Sequence, residues 1–251
     1  MLSPVQIDTY RSHGFLVLEK LIEQECLERL NQRFVEFASE SRDLAAGMKL
    51  MKDVMVAKGA VQPESNLHGI NKLLNFENDD TLMSYVRHPD LVAAVKALIG
   101  TDLCSIVTNV FNKPPNVDGR HPLHQDLRYF RIRPPEKIVA VWTAITPTNR
   151  DNGCLAVIPH SHKVGLMSHS TPDWEFVNYK FYGIEADLTQ SRVHIEMDPG
   201  DTILFHPLLV HGSGHNRTSD FRRSISAHYA NSNCESPPPD WRDNPFVRPL
   251  S

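Results

Sequence analysis

Cysteine is scarce and scattered: Cys26, Cys104, Cys154 and Cys234 are the only four in 251 residues, and no two form a CxxC pair. That spacing argues against a zinc ribbon, a thioredoxin-type site or a disulfide scaffold, and it fits a reducing compartment. Long apolar runs are lacking too. No stretch approaches the roughly 20 residues of a membrane helix, and the start MLSPVQIDTYRSHGF has no basic segment followed by an apolar core, so neither a membrane span nor secretion is expected. Charge of one sign is also missing. With 26 Lys and Arg against 30 Asp and Glu, the net charge of -4 leaves no broad cationic face for a nucleic-acid backbone. There is no repeat, low-complexity tract or interdomain linker. The final VRPLS is not the SKL peroxisomal address, and the expected setting is intracellular, either cytoplasmic or peroxisomal.

What is present is enough apolar content, 41%, for one large core. Ser3 before Pro4 reads as a helix cap, with Gly14 as the stop ahead of a short apolar strand, Phe15 to Leu18. From Glu23, Leu27, Leu30, Phe34 and Phe37 recur at spacings of three and four, which predicts an amphipathic helix packed on a sheet. Residues 41–67 read mostly as loop around one strand-like piece, DVMVA, and HPDLVAAVKALIG reads as another capped helix. After Ser105 the texture changes to short β-branched and aromatic runs: SIVTNVFN, IVAVWTAI, CLAVIP, RVHIEM, DTILFHP and RRSISAHYA. Turn signals such as NRDNG and DPGD separate them, which predicts a barrel or sandwich. The division expected is one catalytic domain over 1–251. Residues 1–104 form a mostly helical flank and support, 105–234 the β core, and 235–251 a C-terminal tail. An aromatic insertion at about 166–189, with Trp174, Phe176, Tyr179, Phe181 and Tyr182, is placed to fold over the barrel mouth as a lid.

The chemistry concentrates in two segments. HPLHQDLRYF places His124 and Asp126 two residues apart, so in a strand both point the same way and can grip one ion. The alternative is that Asp126 merely pairs with Arg128, Arg131 or Arg133. HPLLVHGSGHNRTSDFRRSISAHYA offers a distal histidine, best filled by His211 with His206 competing, because Pro207 breaks the ladder and alternation cannot decide between them. Two histidines and one carboxylate make the facial triad of non-haem iron(II) oxygenases, which leaves three positions open. A 2-oxo acid chelating two of them needs its far carboxylate held. Arg222 offers a rigid two-pronged donor for it, at the head of an alternating polar set completed by Ser224, Ser226 and His228. A cupin-like metal isomerase or metal store would need other histidines, such as His121, His206 or His215.

HPLHQDLRYF, VAVWTAI, DNGCLAVIP, PGDTILFHPLLVHGSG and the arginine of SDFRRSIS resemble, in order, successive blocks of the phytanoyl-CoA dioxygenase family, over about Leu2 to Cys234. The resemblance implies a mainly β protein with flanking α, a double-stranded β-helix (jelly-roll, cupin-like) core with N-terminal helices. It implies Fe(II), 2-oxoglutarate and O2 as cofactors, with ascorbate as a candidate reductant. Position by position, it makes His124, Asp126 and His211 the metal ligands and Arg222 the partner of the distal 2-oxoglutarate carboxylate. It places Lys72, Asn109, Gln125, Trp142 and Ser213 around the cosubstrate. By composition alone Trp142 reads as a core aromatic and Lys72 as a solvated cation. Asn109 stands where the family's hydroxylase has a methionine, and His160 in PHSH replaces the usual glycine of its loop.

The implied reaction is hydroxylation of an unactivated carbon, C2 of a branched fatty acyl-CoA, with release of succinate and CO2. Arg128, Arg131, Arg133 and Lys137 of RYFRIRPPEK are placed to meet CoA phosphates at the mouth. The alternatives are the same chemistry on a free terpenoid, alkaloid or amino-acid derivative, and a metal-binding barrel without turnover.

Overall fold

The computed structural model describes residues 2–186 and 192–250. Ser3 caps α1 (Pro4–His13) through a reciprocal capping box with Gln6, and Gly14 ends the helix at φ 86°, a left-handed conformation that glycine adopts without a Cβ clash. β1 (Phe15–Leu18) follows, then α2 (Gln24–Ala38), which buries Leu27, Leu30, Phe34 and Phe37 as their spacing requires. DVMVA is not a strand. The Asp53 side chain accepts the Met55 N–H and starts a single helical turn, α3 (Val54–Ala57), while the strand of this region is the preceding β2 (Lys49–Lys52). α4 (Asn66–Gly69), β3 (Ile70–Leu74), α5 (Asp80–Val86) and α6 (Pro89–Ile99) complete the stretch expected to be mostly helical. That stretch therefore also contributes three strands.

The remaining strands are β4 (Leu103–Lys113), β5 (His121–His124), β6 (Ile138–Ala144), β7 (Leu155–Val157), β8 (His169–Ser170), β9 (Gly183–Ile184), β10 (Val193–Ile195), β11 (Thr202–Phe205), β12 (His211–Ser213), β13 (Arg222–Asn231) and β14 (Arg248–Leu250). Among the described residues all pairings are antiparallel. The larger sheet runs β1-β11-β6-β13-β4-β3-β2, with β14 from the C-terminal tail also on β4; the smaller runs β10-β7-β12-β5, and β8 and β9 pair apart from both as a two-stranded ribbon. Two antiparallel sheets with helices on one side are the double-stranded β-helix expected from the family resemblance.

β13 shows how the larger sheet divides its two faces. Ile225, Ala227 and Tyr229 join Leu30, Phe34 and Tyr85 in a core between sheet and helices, so one face is sealed by apolar burial. The alternate residues Arg222, Ser226 and His228 line a cavity between the sheets. Register extends this face sideways. Ser226 is flanked by Asn109 on β4 and Trp142 on β6, and Arg222 lies beside Lys113. Phe111 lies beside both Ser224 on β13 and Lys72 on β3. The polar row that would be costly in a sealed core thus borders open space.

Candidate metal centre

His124 ends β5, and Gln125 stays extended (φ -120°, ψ 129°), so His124 and Asp126 leave the backbone on one side. The chain next makes a 3-10 turn over Asp126–Tyr129, because Leu127 turns into a core with Ile138, Leu208 and Trp241, and its N–H bonds the Pro207 carbonyl. Antiparallel pairing then sets His211 of β12 directly opposite His124. One donor atom from each of His124, Asp126 and His211 lies within 4.8 Å of the others, and all three residues are buried.

Asp126 Oδ1 stands 3.3 Å from His124 Nε2 and 3.7 Å from His211 Nε2. The other ring nitrogens face backbone carbonyls: His124 Nδ1 at 2.8 Å from Pro122 O, and His211 Nδ1 at 3.0 Å from Leu209 O. A carbonyl only accepts, so each Nδ1 carries the proton and each Nε2 turns a lone pair toward Asp126. Two lone pairs and a carboxylate oxygen meeting with no proton between them suit a divalent cation. Burial, and next the neighbouring His124, hold His211 down at about 4, so it is neutral near pH 7. Burial alone would push the Asp126 carboxyl up, but the histidines around it, His211 and His228 first, hold it well below the usual carboxylate range. None of the three nearby arginines pairs with it among the described ion pairs.

The competing histidines are placed elsewhere. His206 lies against His162, ring centroids 5.3 Å apart, and its Nδ1 accepts the Leu208 N–H. His215 pairs with Asp118 at 3.1 Å, and His121 is stacked between His124 and Phe181. Among the described residues, His124, Asp126 and His211 form the only group of three able to hold a metal.

These three line a cavity of about 510 Å³ together with Lys72, Asn109, Trp142, Ser213 and Arg222. Arg222 is 2% exposed; its Nη2 donates to Gly153 O at 2.9 Å, its Nη1 to Ser224 Oγ at 3.1 Å, and its guanidinium lies 5.4 Å over Trp142. Gly153 is at φ 79°, and a Cβ there would sit 2.5 Å from Gly214 O, so the turn presenting that carbonyl requires glycine. Among the described residues no carboxylate pairs with Arg222, and its Nε and the Ser226 hydroxyl are buried without partners. A buried guanidinium lacking an anion is costly, so an anionic cosubstrate fits here. Burial lowers Arg222 to about 9, leaving it charged at neutral pH.

Gln125 is the exception among the expected cosubstrate residues. Its amide points away from the cavity, donating to Gly165 O and Leu208 O and accepting the Met167 N–H, because one step along an extended chain reverses the side chain. It ties the segment after residue 164 to the core instead. The four expected mouth cations are also displaced. Arg128 stacks on Tyr182 and Arg133 donates to the carbonyls of Phe130 and Ile132, whereas the exposed cations lining the cavity are Lys49 and Lys180.

Of the expected lid, Tyr179, Lys180 and Phe181 line the cavity, and 187–189 lie outside the described residues. Asn178 accepts the Val54 N–H at 2.9 Å and donates to the buried Asp53 at 3.2 Å, Phe181 stacks on His121, and Tyr129 Oη donates to Lys180 O. Two further residues gain a place that sequence reasoning did not assign. Lys113, across from Arg222, spends its ammonium on the carbonyls of Gly119 and Gly214, and His228 reaches Asp126. Both sit on the inward alternation of their strands, which was the available signal.

Comparison with known proteins agrees with this geometry. The family profile described as Phytanoyl-CoA dioxygenase (PhyH) matches residues 10–224. A probable phytanoyl-CoA dioxygenase of Caenorhabditis elegans is 41% identical over 239 residues, covering 92% of this chain and 76% of that protein. The peroxisomal phytanoyl-CoA dioxygenase of Bos taurus is 39% identical over 240 residues, covering 93% and 70%. Among solved structures, the epimerase SnoN in complex with Fe3+, alpha ketoglutarate and nogalamycin RO superposes with a TM-score of 0.68 at 20% identity, covering 93% of this chain and 85% of that one. The chain is a dioxygenase and belongs to the phytanoyl-CoA dioxygenase family, whose members use iron(II), 2-oxoglutarate and dioxygen.

Proposed function

We propose that this protein hydroxylates C2 of a fatty acyl-CoA, consuming 2-oxoglutarate and O2 and releasing succinate and CO2. The observation that carries the reading is the convergence of His124, Asp126 and His211 within 4.8 Å on the wall of the cavity that also holds Arg222, which no carboxylate meets among the described residues. In this assignment the three residues hold iron(II). Arg222 takes the distal carboxylate of 2-oxoglutarate, with Lys72, Asn109, Trp142 and Ser213 around it. Iron and its keto acid supply the oxidising power when bound; the protein supplies position, charge and exclusion of water. Lys72, its ammonium 5.1 Å from the Phe111 ring and 5.3 Å from the Phe181 ring, adds a second positive charge. Residues 105–234 act as the catalytic core, with the 166–189 segment as the lid.

The remaining cavity lining suits an acyl chain. Leu50, Met51, Leu74, Phe130 and Phe205 provide apolar walls, while Lys49 and Lys180 stand at the opening beside Tyr179, which is 77% exposed. An ammonium pair and an aromatic ring at the rim match the phosphates and adenine of CoA. The relatives named for a peroxisomal phytanoyl-CoA enzyme support the same substrate class and a peroxisomal setting.

The test is succinate release with iron(II), 2-oxoglutarate and a panel of CoA thioesters, free acids and small terpenoid, alkaloid or amino-acid metabolites. Branched acyl-CoAs are expected to stimulate release, and a K49E/K180E double variant to raise their KM while leaving that of 2-oxoglutarate unchanged. Stimulation by a free metabolite and by no thioester would replace the substrate. Metal uptake with no turnover on any compound would favour a binding barrel.

A further inference from the structure

Asp126 meets three histidines, and they do not meet it alike. His124 and His211 turn unprotonated Nε2 atoms toward Oδ1 because their Nδ1–H groups are committed to backbone carbonyls. His228, on the facing wall, sits 2.8 Å from the other oxygen, Oδ2, through its own Nε2. An ionised carboxylate only accepts, so here Nε2 is the donor. The His228 Nδ1 is buried without a partner among the described residues, as a bare imidazole nitrogen would be, and the Phe130 ring packs across the imidazole at a centroid separation of 5.1 Å. On β13 its lateral neighbours are Ala140 and Val107, which leave the ring room to reach the carboxylate.

We propose that His228 is a positioning residue for the metal-binding carboxylate. By holding Oδ2, it makes Asp126 present Oδ1 alone to the ion. This rests on the triad reading given above and deepens it. The consequence is stereochemical. A carboxylate free to rotate can offer both oxygens, and a second Asp126 oxygen would take one of the three positions that 2-oxoglutarate and O2 require. Donors behind metal-bound carboxylates typically matter by about ten- to a hundredfold in metal affinity or activity.

Cobalt(II) titration of metal-free protein, with and without 2-oxoglutarate, separates the outcomes without relying on turnover. The wild type, H228A, H228L and H228Q are compared, with D126A as the control. H228A and H228L are expected to bind cobalt about ten- to a hundredfold more weakly and, once cobalt-loaded, to bind 2-oxoglutarate more weakly too. H228Q, whose amide can still donate, is expected to recover most of both affinities. A merely structural histidine would lower the melting temperature and leave the affinities of the folded protein in place, without rescue by glutamine. Cobalt and 2-oxoglutarate affinities of H228A and H228L within about twofold of wild type would overturn the assignment, since that is well inside the effect expected of such a donor. Equal cobalt uptake by D126A and wild type would instead overturn the triad itself, and His228's part with it.

Discussion

Arg222 says most about what the cavity receives, because a guanidinium 2% exposed with a bare Nε and no carboxylate partner among the described residues is electrostatically incomplete. A charged hydrogen-bonded pair is worth about 1.5–3 kcal/mol, or roughly ten- to a hundredfold in affinity. R222A is therefore expected to raise the 2-oxoglutarate concentration needed for half-maximal turnover by that factor while iron uptake is retained; an unchanged KM would refute the assignment. Lys72 sets a pH dependence. Burial draws its ammonium down to about 8, against the opposing pull of Asp126. The protonated form binds an anion better, so 2-oxoglutarate affinity should stay flat below pH 8 and fall as pH rises through it; K72M should be weaker and flat over the same range. These residues were legible because their patterns are local: HxD is two residues apart, and Arg222 heads an alternating strand. Gln125 faces outward for the same reason that His124 and Asp126 face the cavity, since a residue between two inward side chains must point the other way. The His228 contact joins residues 102 apart in sequence, and no local pattern records it.

Among the elements, the long strands announced themselves and the short ones did not. β4, β6 and β13 are each seven or more residues long, enough for a period to show. β5 and β12, which supply the two histidines, have four and three residues, and their pairing is a tertiary fact. DVMVA failed as a strand because its β-branched composition yields to the Asp53 cap. Asp53 then recurs as the anchor for Asn178, which ties the lid segment to the turn beside β2. N178A removes one hydrogen bond to a buried charged group and leaves the Val54 N–H unpaired. It is expected to raise the KM of the primary substrate about tenfold, the lower end of the about 1.5–3 kcal/mol such bonds carry, with iron affinity unchanged. A matching loss of iron affinity would show that the segment supports the metal centre and not the opening.

At the scale of the whole molecule, the larger sheet separates two environments. Its helix-covered face is closed by Leu30, Phe34, Tyr85, Ile225 and Tyr229, and its other face carries Lys72, Asn109, Lys113, Arg222 and His228 toward the smaller sheet. Apolar packing on one side is what allows a polar, charged row to be held in fixed geometry on the other. The mainly β class and flanking helices were readable from composition and turns. The joining of β2, β3 and β14 to the sheet was not, because strands this short carry too few residues to show a period. The most direct test of the metal centre is anaerobic equilibrium titration of metal-free protein with iron(II), followed by 2-oxoglutarate. One equivalent of iron should bind to wild type and none to D126A, and saturable 2-oxoglutarate binding should appear only after the metal. Absence of saturable iron uptake by wild type, or equal uptake by D126A, would contradict a site built from His124, Asp126 and His211.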